Sequence, residues 1–103
     1  MVNNFLDYMK RKHFYVVTYD ISDDRRRDHV VKIMESIGTR MNYSVFECML
    51  TDIQLRKMMG QLAKIVIRGA DWVNIYPLCT ECYARIRYIP DTKQKEPVKI
   101  IVI

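Results

Sequence analysis

Asp20 stands at the carboxyl end of an apolar, β-rich run, Phe14-Tyr15-Val16-Val17-Thr18-Tyr19, and is followed within a few residues by Ser22, Asp23, Asp24 and three consecutive arginines, Arg25, Arg26 and Arg27. A carboxylate where a strand turns into a helix has two readings: a turn or capping residue, or a ligand presented at a strand end, where open α/β arrangements commonly meet their ligands. Ser22, Asp23 and Asp24 carry oxygens suited to the free N–H groups of a helix start, which leaves Asp20 as the acid with no local duty. Cations at a helix N-terminus oppose the macrodipole, so three arginines there point to an anionic partner, and phosphate is the natural one. Their alternative is a solvated helix face.

The elements that must position these groups follow from periodicity. Phe14 to Tyr19 is predicted to be a buried strand, being apolar at nearly every position and rich in β-branched and aromatic residues. Val30, Val31, Met34 and Ile37 recur at helical spacing, with His29 on the solvent face and Gly38 placed for a left-handed stop. Arg40 to Leu50 alternates as a strand, with a bend expected near Asn42 or Ser44 that would make it a pair. Thr51-Asp52-Ile53-Gln54 is a capping box opening a helix with Leu55, Met58, Met59, Leu62, Ile65 and Val66 as its core stripe, ended by Arg68-Gly69. Asp71 to Leu78 is the next strand, with Val73 and Ile75 on one face, Trp72, Asn74 and Tyr76 on the other, and Pro77 marking an edge. Residues 84–89 alternate and 98–103 are apolar, so both are expected to be strands. The order predicts one α+β domain, a βαββαβ split with helices on one face of an antiparallel sheet, preceded by a leader over residues 1–12, with a core over 13–78 and an extension over 79–103.

Composition bounds the rest. Seventeen Lys and Arg against twelve Asp and Glu in 103 residues give a net charge of +5, which favours an acidic partner such as nucleic acid. No apolar run reaches the ~20 residues that cross a bilayer, and residues 1–12 lack the apolar centre of a signal peptide, so a cytoplasmic protein with no membrane partner is expected. Cys48, Cys79 and Cys82 are expected to be free thiols. Cys79-Thr80-Glu81-Cys82 has zinc-knuckle spacing without a second pair, so two semi-buried cysteines are expected rather than a zinc or redox site.

Three segments in one order, Tyr19-Asp20-Ile21-Ser22-Asp23-Asp24, Tyr43-Ser44-Val45-Phe46-Glu47 and Ile75-Tyr76-Pro77-Leu78, closely resemble the CRISPR-associated protein 2 family over residues 13 to 90. The resemblance implies a ferredoxin-like fold, a homodimer with packed sheets, and C-terminal strands that dock on the partner subunit. It also implies two activities: Mg²⁺-dependent endonuclease action on RNA or double-stranded DNA, and bridging of dimers of the CRISPR-associated protein 1 integrase during spacer capture. Under it Asp20 is the catalytic residue and metal ligand. The resemblance places nucleic-acid contacts at Arg27, Arg40 and Phe46, to which the charge argument adds Arg25 and Arg26, although composition alone makes Phe46 a core residue, and His29 stands where some relatives carry arginine. One chain offers a single well-placed carboxylate, so two Asp20 side chains across a two-fold axis would hold one cation. A stand-alone toxin-like RNA nuclease sharing the fold is the further alternative, against which the Tyr43-to-Glu47 segment argues.

Overall fold

The computed structural model describes residues 10–90. Strand β1 (His13–Asp20) leads into helix α1 (Asp24–Glu35), then the β2 (Gly38–Asn42) and β3 (Val45–Leu50) hairpin, helix α2 (Asp52–Ala63), strand β4 (Trp72–Leu78) and a short helix α3 (Thr80–Ala84). All strand pairs are antiparallel, in the order β2-β3-β1-β4, which is the ferredoxin-like α+β arrangement expected from the element order. The bend expected near Asn42 is a register shift between Arg40 and Asn42, and β4 is an edge strand, as Pro77 implied.

Alternation along β1 sends Tyr15, Val17 and Tyr19 to the helix-covered face, where they join Ile21, Val30 and Met34 around α1, Phe46, Cys48 and Leu50 from β3, and Met58 and Leu62 from α2. Phe14, Val16, Thr18 and Asp20 point the other way. Asp23 caps α1 by accepting from the Arg26 amide at 3.0 Å. Thr51 and Gln54 form both halves of the expected capping box on α2. Each cap stabilises its helix by about 1 kcal/mol.

Four expectations change. Gly38 is not a left-handed stop: it opens β2, and a Cβ there would meet the Glu47 carbonyl oxygen at 2.7 Å and the Cys48 Cβ at 3.0 Å, so close strand approach selects glycine. Helix α2 ends at Ala63, with Met59 exposed to 49 % rather than in the core stripe because it falls past the edge of the face that buries Met58 and Leu62, and Ile65 and Val66 reach the core from a turn whose amides bond the Leu62 carbonyl; the left-handed residue is Gly69, at φ 89°. The stretch over 84–89 is not a strand. It ends α3 and continues across the open sheet face, where the Tyr83 ring lies 4.5 Å from that of Phe14 and the Tyr88 hydroxyl donates to both Glu47 carboxylate oxygens at 2.9 Å. Alternation misled there because Tyr83 and Tyr88 find partners on the strand surface rather than in a ladder. Finally, Cys79 and Cys82 are exposed, not semi-buried. The leader residues 1–9 and the closing apolar run lie outside the described residues.

Candidate functional site

The site is built where β1 ends. Asp20 is the last residue of β1 and pairs across the ladder with Trp72, the first of β4. Both are exposed on the face away from the helices, Trp72 to 46 %. A hollow of about 330 Å³ opens beside them, lined by Tyr19, Asp20, Ile21, Arg27, Tyr43, Ser44 and Trp72. The β2–β3 turn closes one side. Its position is fixed because the Tyr19 amide donates to the Ser44 carbonyl at 3.2 Å and the Tyr19 hydroxyl donates to the Tyr43 carbonyl. Burial raises the Tyr19 phenol pKa above its usual value, with the nearby Arg40 charge opposing. The hydroxyl therefore stays protonated and keeps donating across the neutral range.

Asp20 makes no side-chain hydrogen bond or ion pair with any described residue. Its neighbour across the turn, Asp71, is the opposite. The Asp71 side chain has no exposed surface and accepts from the Ser22 amide (2.9 Å), the Ser22 hydroxyl (3.0 Å), Arg26 Nε (3.0 Å), Arg26 Nη2 (3.2 Å) and the Ile67 amide (2.9 Å). The Arg26 guanidinium, followed by the Ser22 amide, holds this carboxyl well below the usual carboxylate range, against the effect of burial. This cluster ties the turn after Asp20 to the loop entering β4, and so fixes where Asp20 and Trp72 meet.

The three arginines therefore divide. Arg26 is corrected from phosphate contact to framework, because its fork is spent on Asp71 and Ser22. Arg27 lines the hollow while donating to the Ile21 carbonyl through Nε (3.3 Å) and Nη2 (3.0 Å) and pairing with Asp24 at 2.6 Å. Arg25 is exposed and has no partner among the described residues. Arg40 is exposed on β2, bonded to the Asn42 and Tyr43 carbonyls at 3.2 and 2.8 Å and lying over the Tyr43 and Phe46 rings at 5.9 and 5.8 Å. Phe46 is corrected outright as a nucleic-acid contact. It is fully buried, 6.3 Å from the Tyr19 ring, and its burial is worth roughly 1.5–3 kcal/mol to the core, so no base can stack on it. His29 is exposed on α1.

Sequence reasoning passed over Trp72 and Asp71 as site elements. Trp72 was recoverable by counting antiparallel register from Asp20, but Asp71 bonds partners up to 49 residues away and has no local signal.

A comparison with known families decides the lineage: residues 13–86 match the model of CRISPR associated protein Cas2. The chain belongs to the Cas2 family. A Rhodospirillum rubrum protein named CRISPR-associated endoribonuclease Cas2 is 37% identical over 81 residues, 79% of this chain but 65% of that relative's own length. A Chloroflexus aurantiacus protein of the same name is 36% identical over 91 residues, covering 87% of this chain and 98% of the relative. Among solved structures, Streptococcus pyogenes Cas2 superposes with a TM-score of 0.65 at 28% identity, over 73% of this chain and 96% of that one. The Cas2 match takes in Asp20, all four arginines discussed above and the first residues beyond the cysteine pair.

Whether this Cas2 site fits a metal turns on its donors. Among the described residues no group of three or more His, Cys, Asp or Glu side chains is placed to hold an ion. What the hollow offers is a single carboxylate, Asp20, exposed and without a hydrogen-bond or ion-pair partner among the described residues. That suits a hard cation that keeps most of its waters, such as Mg²⁺, and fits better if a second Asp20 joins it. No helix among the described residues is long and apolar enough to cross a membrane.

Proposed function

We propose that this Cas2 protein is an Mg²⁺-dependent phosphodiester endonuclease acting on RNA or double-stranded DNA as a homodimer, with Asp20 of each protomer as the catalytic residue and metal ligand. The observation that carries this reading is the isolation of Asp20: an exposed carboxylate with no partner among the described residues, held in place by a neighbouring carboxylate that has five hydrogen bonds. Magnesium bound there would supply Lewis acidity toward the phosphodiester. The chain's own residues do the rest. Arg27 and the bare Arg25 present positive charge along α1, and Arg40 adds it from β2, so the backbone of a nucleic acid is held by charge rather than by base reading. Trp72 gives the hollow an apolar wall beside Asp20.

Asp20→Asn tests the reading. Magnesium-dependent cleavage is expected to fall by roughly a hundredfold or more, the scale at which one charged catalytic group contributes, while size in solution and melting temperature stay as in wild type. Unchanged cleavage by a clean preparation of the variant would reject it.

A second reading is favoured by the sparse donor set. With one carboxylate in the hollow of each chain and a net charge of +5, the dimer also suits a non-catalytic role, lying along a duplex between dimers of the CRISPR-associated protein 1 integrase in the cytoplasm. One structure sharing the fold, at 20% identity and a TM-score of 0.64, is described as part of a Cas6-RT-Cas1–Cas2 complex. Under this reading Asp20→Asn leaves spacer acquisition intact, whereas charge reversal at Arg25, Arg27 and Arg40 abolishes it.

A further inference from the structure

The Cys79-Thr80-Glu81-Cys82 motif takes no part in the Asp20 site. Its two thiols are exposed, unlike Cys48, which is buried in the core, donates toward the Tyr15 carbonyl at 3.8 Å and has its thiol pKa pushed up to about 12 by burial. Cys79 is the residue capping α3. Its sulfur accepts the Cys82 amide at 3.3 Å. Residues three apart at a helix start lie on one face with Cβ atoms roughly 5–6 Å apart, near the roughly 4 Å that a disulfide needs. The amide contact thus sets the Cys79 sulfur against the residue that carries the second thiol.

Their chemistry is unequal. Hydrogen bonds from Cys82 lower the Cys79 thiol pKa, and the same contact raises that of Cys82. Cys79 is the more acidic thiol of the two, the ordering an attacking and a resolving thiol require. A metal does not explain the pair, because no third ligand of the usual kinds is grouped with it among the described residues.

We propose that Cys79 and Cys82 form a reversible dithiol–disulfide site that exchanges with low-molecular-weight disulfides. The Cys79 thiolate attacks one sulfur of the small disulfide, whose S–S bond breaks and releases one thiolate that takes up a proton. Cys82 then loses its proton and attacks the Cys79 sulfur of the mixed disulfide, forming the internal bond and releasing the second small thiol. The protein loses two electrons and two protons, and the small disulfide gains both. The new bond staples the first turn of α3, one residue before Tyr83 where that ring meets Phe14.

Oxidised glutathione is the probe. Full-length protein is incubated with it at neutral pH, quenched with an alkylating agent, and read by intact mass and peptide mapping under native and unfolded conditions. Wild type is expected to lose two hydrogens, yield a linked Cys79–Cys82 peptide and retain no glutathione, with Cys48 alkylated only after unfolding. Cys82→Ser is expected to trap one glutathione on Cys79. Cys79→Ser is expected to react several-fold more slowly than Cys82→Ser, because the latter variant keeps the residue-82 amide as a donor to the Cys79 sulfur. A stable glutathione adduct on wild type, a disulfide joining two chains, or equal rates for the two single variants would overturn the proposal.

Discussion

Two aspartates flank the start of β4, and they have been treated in opposite ways. Asp71, just before Trp72, is buried and receives five hydrogen bonds from Ser22, Arg26 and Ile67. Asp20, directly across the ladder from Trp72, is exposed and receives none from the described residues. A buried carboxylate is tolerated only when its charge and lone pairs are matched, so Asp71 can be nothing but framework. An exposed one without partners is available to something outside the chain. The first holds the turn that carries the second, and their difference separates the residues that shape this end of the sheet from the residue proposed to act there.

The strongest way to break that distinction is at Asp71. Asp71→Ala strands the Arg26 guanidinium and leaves the Ser22 and Ile67 amides without their acceptor, so the melting temperature is expected to fall on the order of 10 °C by circular dichroism. A paired Arg26→Met and Asp71→Leu variant should recover much of the loss, because the penalty lies in the unmatched partner. The pH dependence has a definite sign. A carboxyl with a folded pKa depressed below its unfolded value contributes stability that is present above about pH 4 and fades as pH falls through the folded value. Wild type should therefore lose melting temperature in acid more steeply than Asp71→Asn. If Asp20→Asn moved the melting point as far as Asp71→Asn does, the contrast between framework and site would collapse.

The next effect belongs to the opposite end of the open face, where Tyr88 satisfies Glu47. Burial, then the Glu47 carboxylate, raises the Tyr88 phenol pKa to about 12. For a group whose folded pKa is raised, the stabilisation is complete below the unfolded value near 10 and is lost as pH rises through about 12. Tyr88→Phe should cost roughly 1–3 kcal/mol, since the nearly buried Glu47 loses a charge-assisted hydrogen bond, and should remove the alkaline transition from hydrogen-exchange protection of α3. Asp20 chemistry is expected to be untouched, which sharpens the separation between the two ends.

How much of this was legible in the sequence depends on how far each signal travels along the chain. Asp23, Thr51 and Gln54 act on neighbours within three residues, and their caps were readable. The β1 and β3 strands and the Leu55, Met58 and Leu62 part of the α2 stripe were readable because side-chain period reports the buried face, whereas Met59, one step round the helix, is exposed. Gly38 defeated local reasoning because the constraint on it is the Glu47 backbone, reached only after β2 folds back on β3. Arg26 looked like its neighbours Arg25 and Arg27 for the same reason: the carboxylate that claims it lies 45 residues on. Tyr88 in an alternating run was indistinguishable from a strand residue until Glu47 was placed opposite it. Asp20 was legible as the acid without a local task, and the structure adds that no distant residue described claims it either.

The smallest effect separates the arginines, which the sequence presents as one run. Arg25 is exposed and without a partner among the described residues, whereas Arg26 is committed to Asp71 and Arg27 divides itself between Asp24 and the Ile21 carbonyl. If α1 lies along phosphates, Arg25→Ala removes about one released counterion, so the slope of log affinity against log salt should shrink by about 1, equally for every sequence tested, with no change in melting temperature. Arg26→Ala should behave in reverse, lowering stability while leaving the salt slope near wild type, because its charge is already neutralised by Asp71. Duplex binding measured by fluorescence anisotropy across a salt series distinguishes the two. Equal slopes for both variants would mean that the run acts as an undivided positive patch, and that the Asp71 cluster does not withdraw Arg26 from the surface.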